Sequence, residues 1–140
     1  MKVLFVLFYI LILFIFNSLS VFAAPQLEIG YSDFKCHELY NEGFDRCNLT
    51  TSVRLSDYSY NSKYDEYTYH IECQSKFTYT TLSKSTGYTW TYSKTGYDST
   101  TLYGTNSYGH IDIRFSPSYS FDPVIRVAPG TLYCRVTNVY

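Results

Sequence analysis

The chain has no block of basic residues. Its 11 lysines and arginines are scattered among 12 aspartates and glutamates, which gives a formal net charge of −1 at pH 7. A nucleic-acid partner requires clustered positive charge to neutralise phosphates, and an anionic membrane surface attracts a polybasic segment. Neither feature is present, so we expect no nucleic-acid partner and no electrostatic attachment to a membrane.

Motifs that would indicate catalysis are missing as well. There is no Gly-x-Ser-x-Gly nucleophile elbow, and no glycine-rich phosphate loop, since the glycines are separated by strand-like sequence. No two cysteines are spaced as Cys-x-x-Cys, so a cysteine metal site is not predicted. We therefore predict a protein that is not an enzyme and needs no cofactor.

The N-terminus has the features of an export signal. Lys2 precedes an unbroken apolar run from Val3 to Phe16. Val21-Phe22-Ala23 then has the small residues of a cleavage site, which predicts a secretory signal peptide over residues 1–23. The competing interpretation is a membrane anchor, but polar residues at 17, 18 and 20 shorten the apolar core to signal-peptide length. Cleavage after Ala23 predicts a secreted, extracellular protein with one domain over residues 24–140 and no membrane attachment.

The composition of the remaining chain favours β-structure. The sequence contains 17 tyrosines, and tyrosine, threonine and valine favour strands. The clearest strand is Glu66 to Thr78, in which polar residues alternate with the row Tyr67, Tyr69, Ile71, Cys73, Ser75 and Phe77. Such alternation places one row against a core and the other in solvent. Similar runs recur at 27–31, 49–55, 88–92, 111–115 and 132–136, with shorter candidates at 100–103 and 124–127.

Turn-forming residues separate these runs. They are the segments 61–62, 85–87, 94–96, 104–106 and 129–130. Short strands divided this regularly predict an all-β fold, a small disulfide-stabilised antiparallel β-sandwich. The similar segments 83–88 and 93–97 are interpreted as the turns of two consecutive hairpins. The one candidate helix covers residues 33–42 and would end at Gly43.

Four cysteines in an exported chain of this size predict two disulfides. We favour Cys36 with Cys47 and Cys73 with Cys134, and the two other connectivities remain open. Cys73 and Cys134 lie in the inward rows of predicted strands, which suits a link between two sheets. Cys36 and Cys47 can meet only if the chain doubles back after Gly43, because a straight helix would hold them too far apart.

Two cysteine-bearing segments resemble secreted immunoglobulin-like domains. The segment Tyr69–Cys73 looks like the first cysteine strand of that family, and Gly130–Asn138 is similar to the second. Trp90 follows one hairpin after the first segment, where the family has its core tryptophan. The resemblance covers about half of the mature chain, and it implies an immunoglobulin-like β-sandwich with Trp90 in the core.

Histidines and carboxylates form one candidate metal site. His70 and Glu72 share a face of one predicted strand, and His110 and Asp112 share a face of another. If the two strands were neighbours, the four side chains could bind a divalent cation and support a metal-dependent secreted hydrolase. The favoured interpretation is that they are ordinary residues on the polar faces of a sheet.

One modification motif is present. Asn48, Leu49 and Thr50 form an N-glycosylation sequon directly after Cys47. The sequon predicts a glycan on Asn48 if the source exports the protein through a glycosylating pathway.

The favoured function is recognition of an extracellular partner. Residues 88–108 are rich in tyrosine, serine, threonine and glycine, a composition that suits adaptable binding surfaces on a stiff scaffold. The partner would be an extracellular protein or a carbohydrate. The alternative is a structural wall or matrix protein whose tyrosines cross-link. Each candidate tyrosine could instead cover the core or brace a hairpin. The candidate binding residues are Tyr92, Tyr97, Tyr103 and Tyr108.

Overall fold

The computed structural model describes residues 24–40, 42–58, 62–117 and 122–140. The predicted signal peptide, residues 1–23, lies outside the described residues. In the part of the chain that is described, no helix is both long and apolar enough to cross a lipid bilayer. The described residues form the strands β1 (Gln26–Ile29), β2 (Asp33–Leu39), β3 (Gly43–Ser56), β4 (Thr68–Leu82), β5 (Thr89–Tyr103), β6 (Tyr108–Phe115) and β7 (Val124–Val139), with a short 3-10 turn at Ser62–Glu66.

The strands form two layers that pack face to face. In the first layer β4 pairs antiparallel with β7 on one side and with β5 on the other. In the second layer β3 pairs antiparallel with β6 along one edge and with β1 and β2 along the other. One parallel pairing, Gly43 with Val124, joins the two layers into a single continuous sheet. The all-β prediction is confirmed, and the architecture is sandwich-like.

Alternate residues of β3, β4 and β6 fill the space between the layers. The row predicted to face inward on β4 does so, and Ile71 and Phe77 are completely buried. Because the opposite side of each strand is polar, a one-residue slip in pairing would expose the whole apolar row, so burial fixes the register. The buried apolar residues are Cys47, Leu49, Val53, Leu55, Tyr69, Ile71, Cys73, Phe77, Tyr79, Leu102, Ile111, Ile113, Phe115 and Val124.

Phe77 lies at the centre of an aromatic cluster that joins the layers. Its ring stacks on Phe115 of β6 with 4.8 Å between centroids, and it lies 6.1 Å from the ring of Phe34 on β2. Burial of a phenylalanine side chain stabilises a fold by about 1.5–3 kcal/mol, and a favourable ring pair adds about 0.5–1.5 kcal/mol. This cluster is therefore a principal contact between β4 and the second layer.

The predicted helix at residues 33–42 is wrong. Asp33–Leu39 is strand β2, which runs antiparallel to β3. Phe34 and Cys36 pack against the core, whereas Lys35 between them has a side chain that is 80% exposed. This alternation has the period of a strand, and packing against the core overrides the weak helical pattern of the segment.

Both predicted disulfides are present. Cys36 and Cys47 face each other in β2 and β3 with Cα atoms 4.0 Å apart, and Cys73 and Cys134 face each other in β4 and β7 with Cα atoms 4.1 Å apart. The predicted link between two sheets is wrong, because β4 and β7 are adjacent strands of one layer. Each disulfide therefore ties together one hydrogen-bonded strand pair.

Two predicted turns lie inside continuous strands. β5 runs through residues 94–96 and β7 runs through residues 129–130, so the interpretation of 83–88 and 93–97 as consecutive hairpin turns is wrong. Of those two segments, 83–88 does reverse the chain between β4 and β5. A Cβ on Gly130 would lie 2.6 Å from the carbonyl oxygen of Lys76, so this glycine permits close strand packing instead of a turn.

Trp90 is not a core residue, contrary to the expectation carried by the immunoglobulin-like resemblance. It lies opposite Thr81 at the beginning of β5, and it is 58% exposed. Residues 89–95 are exposed on both sides of the strand, so the second layer does not cover this end of β5. The rings in the centre of the core come from Phe77 and Phe115.

β5 and β6 close one side of the sandwich through side-chain contacts. The Asp98 carboxylate on β5 accepts a hydrogen bond of 2.6 Å from the backbone N–H of Asp112 on β6. A Cβ on Gly96 would lie 2.6 Å from Cγ2 of Ile113 and 3.0 Å from Cε2 of Phe77. Glycine at position 96 therefore lets β5 approach the buried face of β6.

We expect Gly96→Ala to lower the free energy of unfolding by about 2 kcal/mol, because the added methyl group overpacks a site walled by two completely buried side chains. Urea denaturation followed by circular dichroism measures the change. Thr95→Ala is the matched control on the exposed side of the same strand and should change stability by less than about 0.5 kcal/mol. A Gly96→Ala protein as stable as the wild type would contradict the close approach of β5 and β6.

The outer edge of β7 is protected from strand pairing. β7 pairs with β4 on one side, and in the described structure the pairing of Val124 with Gly43 is the one backbone pairing on its other side. Three bulges interrupt the ladder between β4 and β7, each with the extra residue on β7, and Pro129 removes a backbone donor. Bulges and proline hinder association between sheet edges, so β7 is suited to remain an edge strand.

Candidate functional site

The four candidate metal ligands lie on opposite faces of the sandwich. His70 and Glu72 are on the outer side of β4, whereas His110 and Asp112 are on the outer side of β6. β4 pairs with β5 and β7, and β6 pairs with β3, so the neighbouring strands that a shared site requires are not formed. Among the residues that the structure describes, no group of three or more His, Cys, Asp or Glu side chains is arranged to hold a metal ion.

The two carboxylates of this set have arginine partners. Arg135 donates a hydrogen bond of 3.3 Å to Glu72, and Arg114 donates one of 3.0 Å to Asp112. Both arginines are largely exposed, and such surface pairs contribute at most about 1 kcal/mol each. These residues therefore behave as the polar residues of two separate sheet faces.

The four candidate tyrosines do not share one surface. Tyr97 and Tyr103 lie on the outer face of the layer formed by β7, β4 and β5, and they are 69% and 76% exposed. Tyr92 lies on the inner side of β5, where its ring stacks on Tyr79 at 5.4 Å between centroids. Tyr108 lies on the outer face of the opposite layer. The structure thus leaves Tyr97 and Tyr103 on a common face and gives Tyr92 a packing role.

Tyr108 is held by Arg54 of β3. The guanidinium carbon lies 5.3 Å from the centre of the tyrosine ring, and Nη1 donates a hydrogen bond of 3.0 Å to the phenolic oxygen. Nη2 of the same arginine donates a hydrogen bond of 2.7 Å to Oδ1 of Asn106. These contacts place Tyr108 in a local network of the β3–β6 face.

A hydroxyl-rich surface covers the outer side of β4 and β5. We name it the Tyr–Thr face and define it as the outward side chains of Glu72–Thr80 on β4, Thr91–Tyr103 on β5 and Tyr133–Arg135 on β7. Its outward positions on β5 are all threonine, serine or tyrosine. On β4 the Thr80 hydroxyl lies 3.3 Å from the hydroxyl of Thr91, so the hydroxyls of neighbouring strands meet across the face.

Two tyrosines and a glutamine form one row across three strands of the Tyr–Thr face. Gln74 of β4 is directly opposite Tyr97 of β5 on one side and directly opposite Tyr133 of β7 on the other. Tyr133 is 56% exposed and Tyr97 is 69% exposed. Neighbouring strands are about 4.8 Å apart, so the Cα atoms of the two tyrosines lie about 9.5 Å apart with the glutamine between them.

Charged side chains flank this row on both sides. The ion pair of Glu72 with Arg135 occupies the next outward positions on β4 and β7, and Lys76 follows Gln74 on β4. The flanking groups offer both hydrogen-bond donors and acceptors to a ligand lying on the row. The site therefore combines two exposed aromatic rings and an amide group with charged side chains on both sides of the row.

Tyr133 and Gln74 were not among the residues predicted from the sequence. The available signal was the pairing of Cys73 with Cys134: if those cysteines face each other in adjacent antiparallel strands, Gln74 must lie opposite Tyr133. Assigning the two cysteines to different sheets removed that signal.

The opposite face of the sandwich carries an open polar groove of about 640 Å³. Asn48 lies at its centre on β3, between Lys35 on β2 and Arg114 on β6, and it is half-buried. His37 also lines the groove. Its hydrogen bond of 2.8 Å with the Asp45 carboxylate lowers the pKa of that carboxyl below its usual value. The sequon residue is thus on the face opposite to the Tyr–Thr face.

The two outer faces differ in chemistry. In the groove, Lys35 pairs with Asp33 at 2.5 Å, and the hydrogen bond with this carboxylate raises the lysine pKa. The Tyr–Thr face instead presents rings and hydroxyl groups with few charges. A sandwich-like architecture is compatible with many activities, so any activity of this chain depends on the chemistry of its surfaces. No known protein family, curated protein or solved structure matches this chain.

Proposed function

We propose that this chain is a secreted, non-enzymatic recognition protein that binds an extracellular partner through the Tyr–Thr face. The observation that carries the proposal is the row Tyr97–Gln74–Tyr133, two exposed aromatic rings fixed on a disulfide-braced sheet. Two disulfides suit a protein that works in an oxidising environment outside the cell.

The composition of the Tyr–Thr face supports recognition. Tyrosine offers a large contact area with little conformational entropy to lose, and serine and threonine supply adaptable hydrogen bonds. The tyrosines stand on regular strands instead of loops, and the central strand β4 is paired on both sides. A surface held in this way loses little freedom when it binds a partner.

The opposite face is less suited to a partner. Its side chains around Asn48 are mainly charged, and they include the pair of Lys35 with Asp33 and Arg114, which pairs with Asp112. A glycan on Asn48 would project from the centre of that face and cover the groove. Both features favour the Tyr–Thr face as the free surface.

The protected edge of β7 favours a recognition protein over a self-assembling wall or matrix protein. Three bulges and Pro129 hinder pairing of β7 with a second copy, and at the other edge of this layer β5 approaches β6, where the Asp98 carboxylate accepts a hydrogen bond from the backbone of Asp112. Assemblies built by edge pairing need a long and regular free strand, which β7 is not.

A glycan placed in the centre of the Tyr–Thr face tests the proposal. Thr78→Asn creates a sequon with Tyr79 and Thr80 on the exposed side of the central strand. Expressed in a glycosylating host, this variant should bind an immobilised panel of extracellular proteins and polysaccharides at least about tenfold more weakly than the wild type, a loss of about 1.4 kcal/mol or more. Ser93→Asn, which creates a sequon with Thr95 on β5, is a second variant with the same expected result.

The matched control is Asn48→Gln, which removes the natural sequon from the opposite face. Its binding should stay within about twofold of the wild type. Mass spectrometry confirms glycan attachment, and circular dichroism confirms the fold of each variant. Undiminished binding by a glycosylated Thr78→Asn protein, or no saturable binding of the wild type to any member of the panel, would contradict the proposal.

A further inference from the structure

We infer that the Tyr–Thr face binds a neutral polysaccharide chain laid across its strands, along the row Tyr97–Gln74–Tyr133. The inference rests on the proposed function and names the class of ligand. It starts from the row itself, in which each tyrosine is more than half exposed and Gln74 is exposed between them. A linear ligand that crosses β5, β4 and β7 would meet the three side chains in order.

The spacing of the row suits a chain of sugar rings. The Cα atoms of Tyr97 and Tyr133 are separated by two strand spacings, about 9.5 Å. A pyranose ring in an extended polysaccharide advances the chain by roughly one strand spacing, so the two tyrosines meet alternate sugars and Gln74 meets the sugar between them. The sugar presents an apolar C–H face to a tyrosine ring, and an aromatic side chain gains from such contact while its hydroxyl group stays in water.

The hydrogen-bonding groups around the row match the edges of sugar rings. Gln74 offers two N–H donors and a carbonyl acceptor, which is the combination that hydroxyl groups require. On one side of the row lie Glu72 and Arg135, held together at 3.3 Å, and on the other side lie Lys76 and Thr95. Neighbouring hydroxyl groups of a sugar can bind a carboxylate and a guanidinium together, so the ion pair is a ready contact for a neutral ligand.

The face carries tyrosine and arginine, which protein interfaces also use, but it has no aliphatic side chain to form the apolar centre of such an interface. The outward positions of Glu72–Thr80, of Thr91–Tyr103 and of Tyr133–Arg135 include no leucine, isoleucine, valine, phenylalanine or methionine. Protein interfaces concentrate their binding energy in a few apolar or aromatic anchors that fill pockets, within a ring of residues that excludes water. A hydroxyl-rich surface with two rings separated by a glutamine fits a hydroxyl-rich chain better than a second protein.

Affinity electrophoresis of the full-length secreted protein tests the inference, with three neutral soluble polysaccharides as probes: a β-1,4-glucan, a β-1,4-mannan and a xylan. We expect at least one probe to retard the wild type. Tyr97→Ala and Tyr133→Ala should each weaken that binding by at least about tenfold, and the double variant should abolish it. Tyr97→Phe and Tyr133→Phe should bind within about threefold of the wild type, because the ring is kept. Tyr31→Ala is the control, since Tyr31 is 91% exposed and lies between β1 and β2, away from the row.

Other outcomes separate this inference from the proposed function. If extracellular proteins bind the wild type, Thr78→Asn prevents that binding and none of the neutral polysaccharides binds, the ligand class is wrong and the location of the binding face is right. An acidic polysaccharide is run beside the three neutral probes. Binding confined to this acidic probe, and lost at 0.5 M salt to about the same extent in every variant, would show simple charge attraction and would overturn the inference. Equal retardation of the Tyr97→Ala and wild-type proteins would overturn it as well.

Discussion

We expect Phe77→Ala to lower the free energy of unfolding by about 4 kcal/mol, near the upper end for a single core substitution. Phe77 is completely buried, and its ring contacts Phe115 and Phe34 in the opposite layer. Removal of the ring leaves a cavity that the surrounding strands cannot fill without breaking their ladders, so the transfer energy and the cavity term add. Equilibrium denaturation in urea measures the difference.

Two matched variants sharpen this test. Phe77→Leu keeps most of the buried volume and should lose clearly less stability than Phe77→Ala. Tyr103→Ala removes a ring of similar size that is 76% exposed, and it should change stability by less than about 0.5 kcal/mol. A similar loss in Phe77→Ala and Tyr103→Ala would contradict the assignment of Phe77 to the centre of the core.

The second large effect concerns the disulfides, which should contribute unequally. Cys73 and Cys134 are 61 residues apart, and Cys36 and Cys47 are 11 apart. Loop-closure entropy then predicts a loss of about 4 kcal/mol when the long loop is opened and about 3 kcal/mol when the short loop is opened. Paired alanine substitutions, Cys73→Ala with Cys134→Ala and Cys36→Ala with Cys47→Ala, make the comparison.

The two double variants control for each other. Each pair contains one completely buried cysteine, Cys73 or Cys47, so the packing cost of the substitution to alanine is similar. The remaining difference reflects the length of chain that each disulfide closes. A larger loss from opening the Cys36–Cys47 loop would contradict the prediction that loop length determines the contribution of each disulfide.

Local patterns were enough to predict the class of fold. The alternation of β4 is visible in the sequence Glu66–Thr78. In a strand that lies between a core and solvent, the polarity of each residue matches the side that it faces. The disulfide partners were also predicted, since the positions of Cys73 and Cys134 within two alternating rows limit where their side chains can point.

The prediction of a turn at residues 94–96 is wrong because Gly96 permits close packing of two strands and does not form a turn. Gly96 occurs after lysine and threonine, as a turn glycine would, yet it lies in the middle of β5 against Ile113. The reason for this glycine is the approach of β5 to β6, a contact between distant parts of the chain. No local pattern reports such a contact, so the sequence predicted two short strands in place of β5.

The same error concealed the row at the candidate site. The turn at 83–88 joins β4 and β5 in a hairpin. Gln74 pairs with Tyr97 in this hairpin because β5 continues through residues 94–96. With β5 divided, Tyr97 was grouped with its neighbours in sequence, such as Tyr108. The row depends on register across three strands, and proximity along the chain does not report that register.

The location of the binding surface is tested most directly by nuclear magnetic resonance titration of the isotope-labelled wild-type protein with the polysaccharide or extracellular protein that it binds most tightly. We predict that ligand-induced shifts cluster on the Tyr–Thr face, with the largest changes at Tyr97, Gln74 and Tyr133. Shifts centred on Asn48, Arg114 and Tyr108, on the other face of the sandwich, would contradict the proposed surface.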